Sequence, residues 1–346
     1  MLLRIILIVV AVAAAVAPYP AALVERWYSR GLYPRLQPIL TQASNAVPVA
    51  VIDIVFAILI VWLVVSMLGR WRKRGAIGAF VRFLTWGLTT AAVLFLLFFA
   101  TWGLNYRRVP LEEKLAFSRE RISEEAAVRL ATTAIERVNA GHAVAHAQSF
   151  RTEAVLASLD EVHRHLGAPR PIVPANTKPS LLEHYFRYAA IDGMTVPVAL
   201  EVILHPDLLP VELPFTWAHE QAHIAGYADE SEANFVAWLA CIRSGDPLAQ
   251  YSGWLDTYLI AANALPRGRR GELPPLADGP RDDLRAIAAR LDRSSPVVRN
   301  AARNAYDSYL RANRIEEGIA NYGVVLQLML GTEFNDGYTV RLRRSP

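Results

Sequence analysis

Residues 213–239 read LPFTWAHEQAHIAGYADESEANFVAWL. Pro214 suits the first turn of a helix and Gly226 its end, so a helix is expected between them. Phe215, Trp217, Ala218, Ala222 and Ala225 make it apolar and buried. On it, His219 and His223 stand at i and i+4. They share one face, within reach of one metal ion. A buried His beside a buried Glu is costly unless paired or metallated. Imidazole suits zinc, and Glu220, next to the first His, is placed to take a proton from a metal-activated water. A catalytic zinc needs a third protein ligand. Glu230 supplies one, seven residues after His223 at the start of a second apolar helix. Asn234 lies one turn after Glu230 on the same face, where it is expected to hydrogen-bond a His ligand. Glu232 competes with Glu230, but at 100° per residue the two point to nearly opposite sides. Asp229 and Glu232 fit an Asp-x-x-Glu capping box, which gives Glu232 a structural task and leaves the metal to Glu230.

Outward from this stretch, the chain has 346 residues, a net charge of +4 and 53% hydrophobic residues. Its mean hydropathy is +0.22, high for a wholly soluble protein. Yet 36 Lys+Arg and 32 Asp+Glu must meet water. The length allows two modules, one membrane and one globular. A single cysteine, Cys241, excludes an internal disulfide framework and a Cys-rich metal cluster. On its apolar helix face it reads as a small buried hydrophobe.

Apolar residues concentrate at the N-terminus. Three spans are expected, at about 3–20, 47–69 and 83–104, since a spanning helix needs about 20 apolar residues. The first is interrupted by Pro18 and Pro20 and also suits a secretory signal peptide; its length and flanks favour a span. The link holding Arg70, Arg72, Lys73 and Arg74 is expected to be cytoplasmic. That places 105–346 outside the cytoplasm, in a multi-pass protein of the inner membrane. The Arg cluster is then a topology signal, and nucleic acid is not an expected partner. Asp53 is expected to be hydrated at the interface.

From residue 105 the pattern is helical. Ser123-Glu124-Glu125 starts a helix expected to end near Asn139, before Gly141. Further helices are expected at 151–166, 214–225, 230–243, 247–263, 281–292 and 295–330, with a Pro/Gly/Arg loop at 266–280. Residues 194–204 read as one strand, with Pro197 indicating an edge position. The expected fold class is mostly α: transmembrane helices followed by an α+β domain with a small sheet or hairpin before the HExxH helix at residue 214.

HExxH followed by Glu-x-x-x-Asn resembles the gluzincin metallopeptidases, whose usual second motif is Glu-x-x-x-Asp; Asn234 departs from it. More closely, the chain resembles a bacterial membrane family known as domain of unknown function 3810. The resemblance rests on Trp102-Gly103-Leu104-Asn105-Tyr106, Pro110-Leu111, Lys178-Pro179-Ser180-Leu181 and Leu213-Pro214-Phe215-Thr216. It continues through the HExxH, Gly226, Glu230-Ser231-Glu232-Ala233-Asn234-Phe235, Tyr306-Asp307-Ser308-Tyr309-Leu310 and Glu317-Gly318-Ile319. It implies spanning helices ahead of a zincin-like domain, and assigns no substrate.

The expected function is that of a membrane-anchored zinc peptidase. Its partners would be the lipid bilayer and a peptide or protein substrate in the cell envelope. His219, His223 and Glu230 would hold zinc, with Glu220 as general base. A non-proteolytic zinc module and a hydrolase of another envelope amide bond are the competing readings. Oxyanion donors could come from His184, Tyr185, His205, Tyr306, Tyr309, Arg314 or Tyr322, although packing explains each of them singly.

Overall fold

A computed structural model describes residues 2–313, 315 and 324–343, with side chains throughout these except at 66–79. Helix α1 is Leu2–Val16. Pro18 and Pro20 stop it, and the chain resumes as Ala21–Leu23, a π-helical segment Val24–Leu32, and α2, Tyr33–Asn45. The axis bends by 108° between Leu2–Val16 and Ala21–Asn45. Next comes α3, Val51–Thr101. Within it Trp62 and Trp86 are in ring contact, with centroids 4.7 Å apart. Straight helix would separate them by about 36 Å, so the element folds back on itself between them.

The expectation of three spans is narrowed. Among the described residues one helical segment, Phe80–Thr101, is by itself long and apolar enough to cross a membrane. The bent pair Leu2–Val16 and Ala21–Asn45 passes only as one broken span, and Val51–Val65 is apolar but short. The cause in the first segment is Pro18 and Pro20, which leave 15 residues of helix where about 20 are needed.

Both ends of α3 are fixed to the globular body. At its start, Val51 and Ile52 donate their N–H groups to the Glu201 carboxylate at 2.8 and 2.9 Å. Glu201 is fully buried and paired with the Lys178 ammonium at 3.0 Å. A carboxylate at a helix N-terminus satisfies free N–H groups and opposes the helix dipole. Asp53 accepts from the Ser180 hydroxyl at 3.0 Å and the Leu181 N–H at 2.8 Å, so it caps a loop of the globular body. At the far end the Trp102 indole donates to the His223 carbonyl at 2.9 Å.

The globular body is built from α4 (Glu124–His146), α5 (Thr152–His165), α6 (Leu182–Ala189), β1 (Gly193–Val196), β2 (Glu201–Leu204), α7 (Leu213–Ile224), α8 (Glu230–Arg243), α9 (Pro247–Ala264), α10 (Asp278–Leu291), α11 (Pro296–Ala312) and α12 (Val324–Gly331). The class is mostly helical with small sheets, as expected. Helix α8 is the centre: it packs on α5, α7, α9 and α12, while α9 lies along α4. Polar caps fix the starts. Ser123 accepts from Ala126 N–H, and Asp246, before Pro247, accepts from Ala249 N–H.

Several elements differ from expectation. The strand expected over 194–204 is an antiparallel hairpin, with Gly193 opposite Leu204 and Val196 opposite Glu201. Pro197 opens a turn rather than marking an edge within one strand, and Leu200 adopts a positive φ of 47° there. Helix α4 runs through Gly141 to His146, because Gly141 faces Tyr251 across a packed contact instead of capping the helix. Of the helix expected over 295–330, Pro296–Ala312 and Val324–Gly331 are helical among the described residues. A second hairpin, Phe334–Asn335 with Thr339–Val340, follows α12.

Candidate metal centre

Helix α7 starts as the sequence indicates, with Pro214 in its first turn. It ends at a reversal where Gly226 has φ +92°, a conformation that favours glycine. A Cβ there would also lie 2.9 Å from the Tyr33 ring. Asp229 then caps α8, accepting the N–H groups of Ser231 and Glu232 at 2.8 and 3.2 Å. These two caps hold Glu230 opposite the histidines.

His219 Nε2 and His223 Nε2 are 3.1 Å apart. Glu230 places Oε2 3.3 Å from the first and Oε1 3.4 Å from the second. Ligands at about 2.0–2.1 Å around a tetrahedral zinc would be about 3.4 Å apart. The three residues form a group that could hold a metal ion, with one donor atom each, all within 4.8 Å of one another. The Glu230 Oε2 atom and the His219 Nδ1 atom are buried without a hydrogen-bond partner among the described residues. An orphaned carboxylate oxygen 3.3 Å from the His219 imidazole fits a cation between the two.

The electrostatics agree. Burial opposes charge on His223, but the Glu230 carboxylate more than offsets it and pushes the imidazole up to about 9. Burial also works against an ionised Glu230, yet the two histidines hold it well below the usual carboxylate range. The anionic Glu230 carboxylate thus faces a positive charge on His223, the role a divalent ion would take over.

Glu220 is buried beside this group, not in it. Thr195 Oγ1 donates to Glu220 Oε2 at 2.7 Å and to the Glu220 carbonyl at 3.1 Å. Burial raises its carboxyl above the ordinary range, opposed by the two histidines and the Thr195 bond. Gly193 is required here: a Cβ would lie 2.6 Å from Glu220 Oε1.

The ring of His223 is oriented by the Tyr227 carbonyl, 2.7 Å from Nδ1. Asn234, expected in that role, is buried but has no hydrogen bond to either imidazole among the described residues. The Tyr227 carbonyl reaches the ring first because the Gly226 reversal folds residues 225–227 back over the helix end. Glu232 is also buried, and its Oε1 accepts from the Leu111 N–H at 2.6 Å. Only half of the expected capping box forms, since the Glu232 side chain ties down residues 110–111 instead of the Asp229 N–H. Burial and Asp229 push its carboxyl up to about 7.

Of the other candidates, Tyr306 reaches the centre: its hydroxyl donates to Glu230 Oε1. Tyr309 stacks on Tyr306 and contacts the Tyr106 hydroxyl at 3.4 Å. His205 turns to the Asp207 N–H, and His184 and Tyr185 are exposed. Arg314, Tyr322 and Glu317-Gly318-Ile319 lie outside the described residues. Cys241 is buried, as expected.

Sequence reasoning missed Thr195, Gly193, the Tyr227 carbonyl and Asp256. Asp256, on α9, is pushed up to about 7 by burial and feels His219. Its Oδ2, like His219 Nδ1, is buried without a partner among the described residues. A second donor group, His142, His146 and Asp283, is half exposed, and its carboxylate also accepts from the Tyr251 hydroxyl at 2.5 Å.

Neither a curated protein nor a solved structure matches the chain. The model of one family does, over residues 28–330, which takes in both anchors of α3, the hairpin β1–β2 and the whole His219–Glu230 centre. The chain therefore belongs to the family described as Protein of unknown function (DUF3810).

Proposed function

We propose that the protein is a membrane-anchored zinc-dependent peptidase. The observation that carries this reading is the separation of roles at the centre. Three donors, His219, His223 and Glu230, converge at the spacing of a tetrahedral zinc. A fourth ionisable group, Glu220, stays beside them, held by Thr195. A purely structural site has no use for that fourth group.

Zinc, when bound, would supply Lewis acidity and a water of lowered pKa. The chain's own residues do the rest. Glu220, raised by burial, is a stronger base than an ordinary carboxylate, placed to accept a proton and return it to a leaving amine. The Tyr227 carbonyl sets the ring orientation of His223. Tyr306 is the donor best placed to stabilise developing negative charge, because its hydroxyl already points at Glu230. Strand β1 is the substrate guide. The His205 N–H bond to the Asp192 carbonyl sets the phase of the ladder. It leaves the N–H and C=O groups of Gly193 and Thr195 facing away from β2. No other strand pairs with β1 among the described residues, so an extended peptide could add there.

The bilayer and an envelope peptide or protein are the proposed partners. The return of both ends of α3 to the globular body puts the basic Arg70–Arg74 link at the opposite end of a hairpin. By the positive-inside rule this supports an extracytoplasmic catalytic domain in a multi-pass inner-membrane protein.

The test uses detergent-solubilised full-length protein. Wild type should carry about one zinc and cleave members of a mixed peptide library. Glu220→Gln should keep the zinc and lose cleavage. Folded protein that binds no zinc, or a Glu220→Gln variant that cleaves as well as wild type, would sink the proposal.

A further inference from the structure

Residues 21–45 cross the base of the globular body with their polarity inverted. The face turned to the protein carries Glu25, Ser29, Gln37, Thr41 and Ser44, all buried, interleaved with Val24, Tyr28 and Tyr33. Each polar group there is matched. Glu25 pairs with Arg108 and Lys114, Ser29 donates to Asn105 Oδ1, and Gln37 bonds Val173. The face turned outward carries Leu23, Trp27, Leu32 and Ile39, which are 52%, 66%, 46% and 63% exposed. Their spacings of four, five and seven residues keep them on one side, the five-residue step falling in the π-helical segment, whose turn is longer. Arg26, Arg30 and Arg35 are exposed along the same rod. A helix that buries its polar side and shows its apolar side is not built to face water.

The connections at each end identify what covers it. At one end the chain turns by 108° into Leu2–Val16, whose Leu2, Leu3, Ile5, Ile6, Val9 and Val12 are exposed. At the other end, after a five-residue link, it enters α3, which contains the span Phe80–Thr101. A rod lying nearly at right angles to one apolar helix, and leading into a hairpin that holds a span, has the geometry of an interfacial helix in the plane of a bilayer. Arginine stems can lie along the apolar boundary while their guanidinium groups reach lipid phosphates.

We infer that Leu23, Trp27, Leu32 and Ile39 insert into the headgroup–acyl boundary of the membrane, and that the globular body sits on the polar back of this helix. This sets the metal centre at the membrane surface. The Tyr33 hydroxyl, from the same rod, donates to the Ile224 carbonyl at 2.7 Å, at the end of the HExxH helix. Trp102, one residue beyond the span, donates to the His223 carbonyl. The substrate of the proposed peptidase is then a chain presented at the membrane surface, a consequence that rests on the peptidase reading. The lipid contact itself does not.

The experiment is site-directed spin labelling of the full-length protein in vesicles of phosphatidylcholine with phosphatidylglycerol. Trp27→Cys and Ile39→Cys are labelled, with Val144→Cys, exposed on α4, as the aqueous reference; Cys241 is buried and does not label. Both positions should sit about 5–10 Å below the phosphates, with an oxygen-to-chromium-oxalate accessibility ratio several-fold above that at Val144, with or without zinc. Ratios equal to that at Val144 would overturn the inference. Shielding from both relaxants would overturn it too, since it would mean that protein covers this face. Because the readout does not involve the metal, it fails independently of the peptidase reading.

Discussion

Glu230→Gln and Glu232→Gln make the same chemical change two residues apart, and the structure assigns them opposite outcomes. On the proposed zinc reading, free zinc at 100 times its dissociation constant would stabilise the wild-type fold by about 2.7 kcal/mol. For a body of this size each kcal/mol moves the melting temperature by roughly 2–4 °C, so zinc should raise it by about 5–10 °C. Glu230 is the anionic member of the triad, 3.3 and 3.4 Å from the two imidazoles. A neutral amide removes that charge and turns one oxygen into an NH2 group that cannot ligate. Losing an outer partner of a metal ligand already costs about 10–100-fold in affinity, so losing the ligand should cost at least about 100-fold. At the same zinc concentration the gain then falls to about 0.4 kcal/mol, or roughly 1 °C. Glu232 accepts one N–H bond, from Leu111, and its carboxyl is already pushed up to about 7. An amide oxygen can accept the same bond, so Glu232→Gln should melt near wild type and keep the full zinc gain. The assay is thermal unfolding in detergent across a chelator-buffered zinc series. A zinc gain lost in Glu232→Gln and kept in Glu230→Gln would refute the ligand assignment and move the centre onto the other face of α8.

Other outcomes follow from single contacts. Gly193→Ala places a Cβ where Glu220 Oε1 now lies 2.6 Å away; with about 1 Å of displacement worth roughly 100-fold in rate, cleavage should fall by that order while zinc content stays at the wild-type level, and unchanged kinetics would remove Glu220 from the base role. His163 is buried against the Tyr227 hydroxyl, and burial, with Arg108 and Lys114, lowers it from 6.5 to about 3. The folded state then resists a proton that the unfolded chain accepts below pH 6.5, so this stability is present above pH 6.5 and lost as pH falls toward 3. Between pH 7 and pH 5 wild type should lose about 2 kcal/mol more than His163→Gln in denaturant titrations, and equal losses would contradict it. A reporter fused after Pro346 should be active outside the cytoplasm, and activity confined to the cytoplasm would reverse the topology.

What was legible in the sequence is what one helix can encode alone. His219 and His223 share a face by spacing, Asp229 announces the start of α8, and the cap fixes which way Glu230 points. These relations run over four to eleven residues and survive any tertiary arrangement. The groups that make the centre specific come from further away and leave no local mark. Thr195 and Gly193 reach Glu220 only because 193–204 is a hairpin, and a run of β-branched residues around Pro197 reads equally well as one strand. Tyr227 acts through its carbonyl, which every residue has. Tyr33 and Trp102 meet the end of α7 across 191 and 121 residues, and nothing near either residue indicates that partner.

The N-terminal region failed to read for a different reason. Apolar content alone cannot separate a helix that crosses a bilayer from one that lies on it. Residues 5–24 carry no charge, which favours a span at about 3–20, but Pro18 and Pro20 end the apolar helix there and the rod begins at Ala21. The rod's polar residues, Glu25, Ser29, Gln37, Thr41 and Ser44, look solvent-facing by any pattern rule. Thr41 accepts from Gln37 within the rod, and the other four are buried because the globular body supplies their partners: Arg108, Lys114, Asn105, Val173 and Lys178. Four of those five lie beyond residue 105, the fifth at it. The polarity of the segment is therefore set by contacts with a domain that sequence places elsewhere. The same contacts join this rod to the candidate metal centre, since the rod that bears Glu25 and Gln37 also bears Tyr33, which bonds the end of the HExxH helix. Tilting this rod, or pulling it away from the body, would strain the ends of α7 and of α3 together.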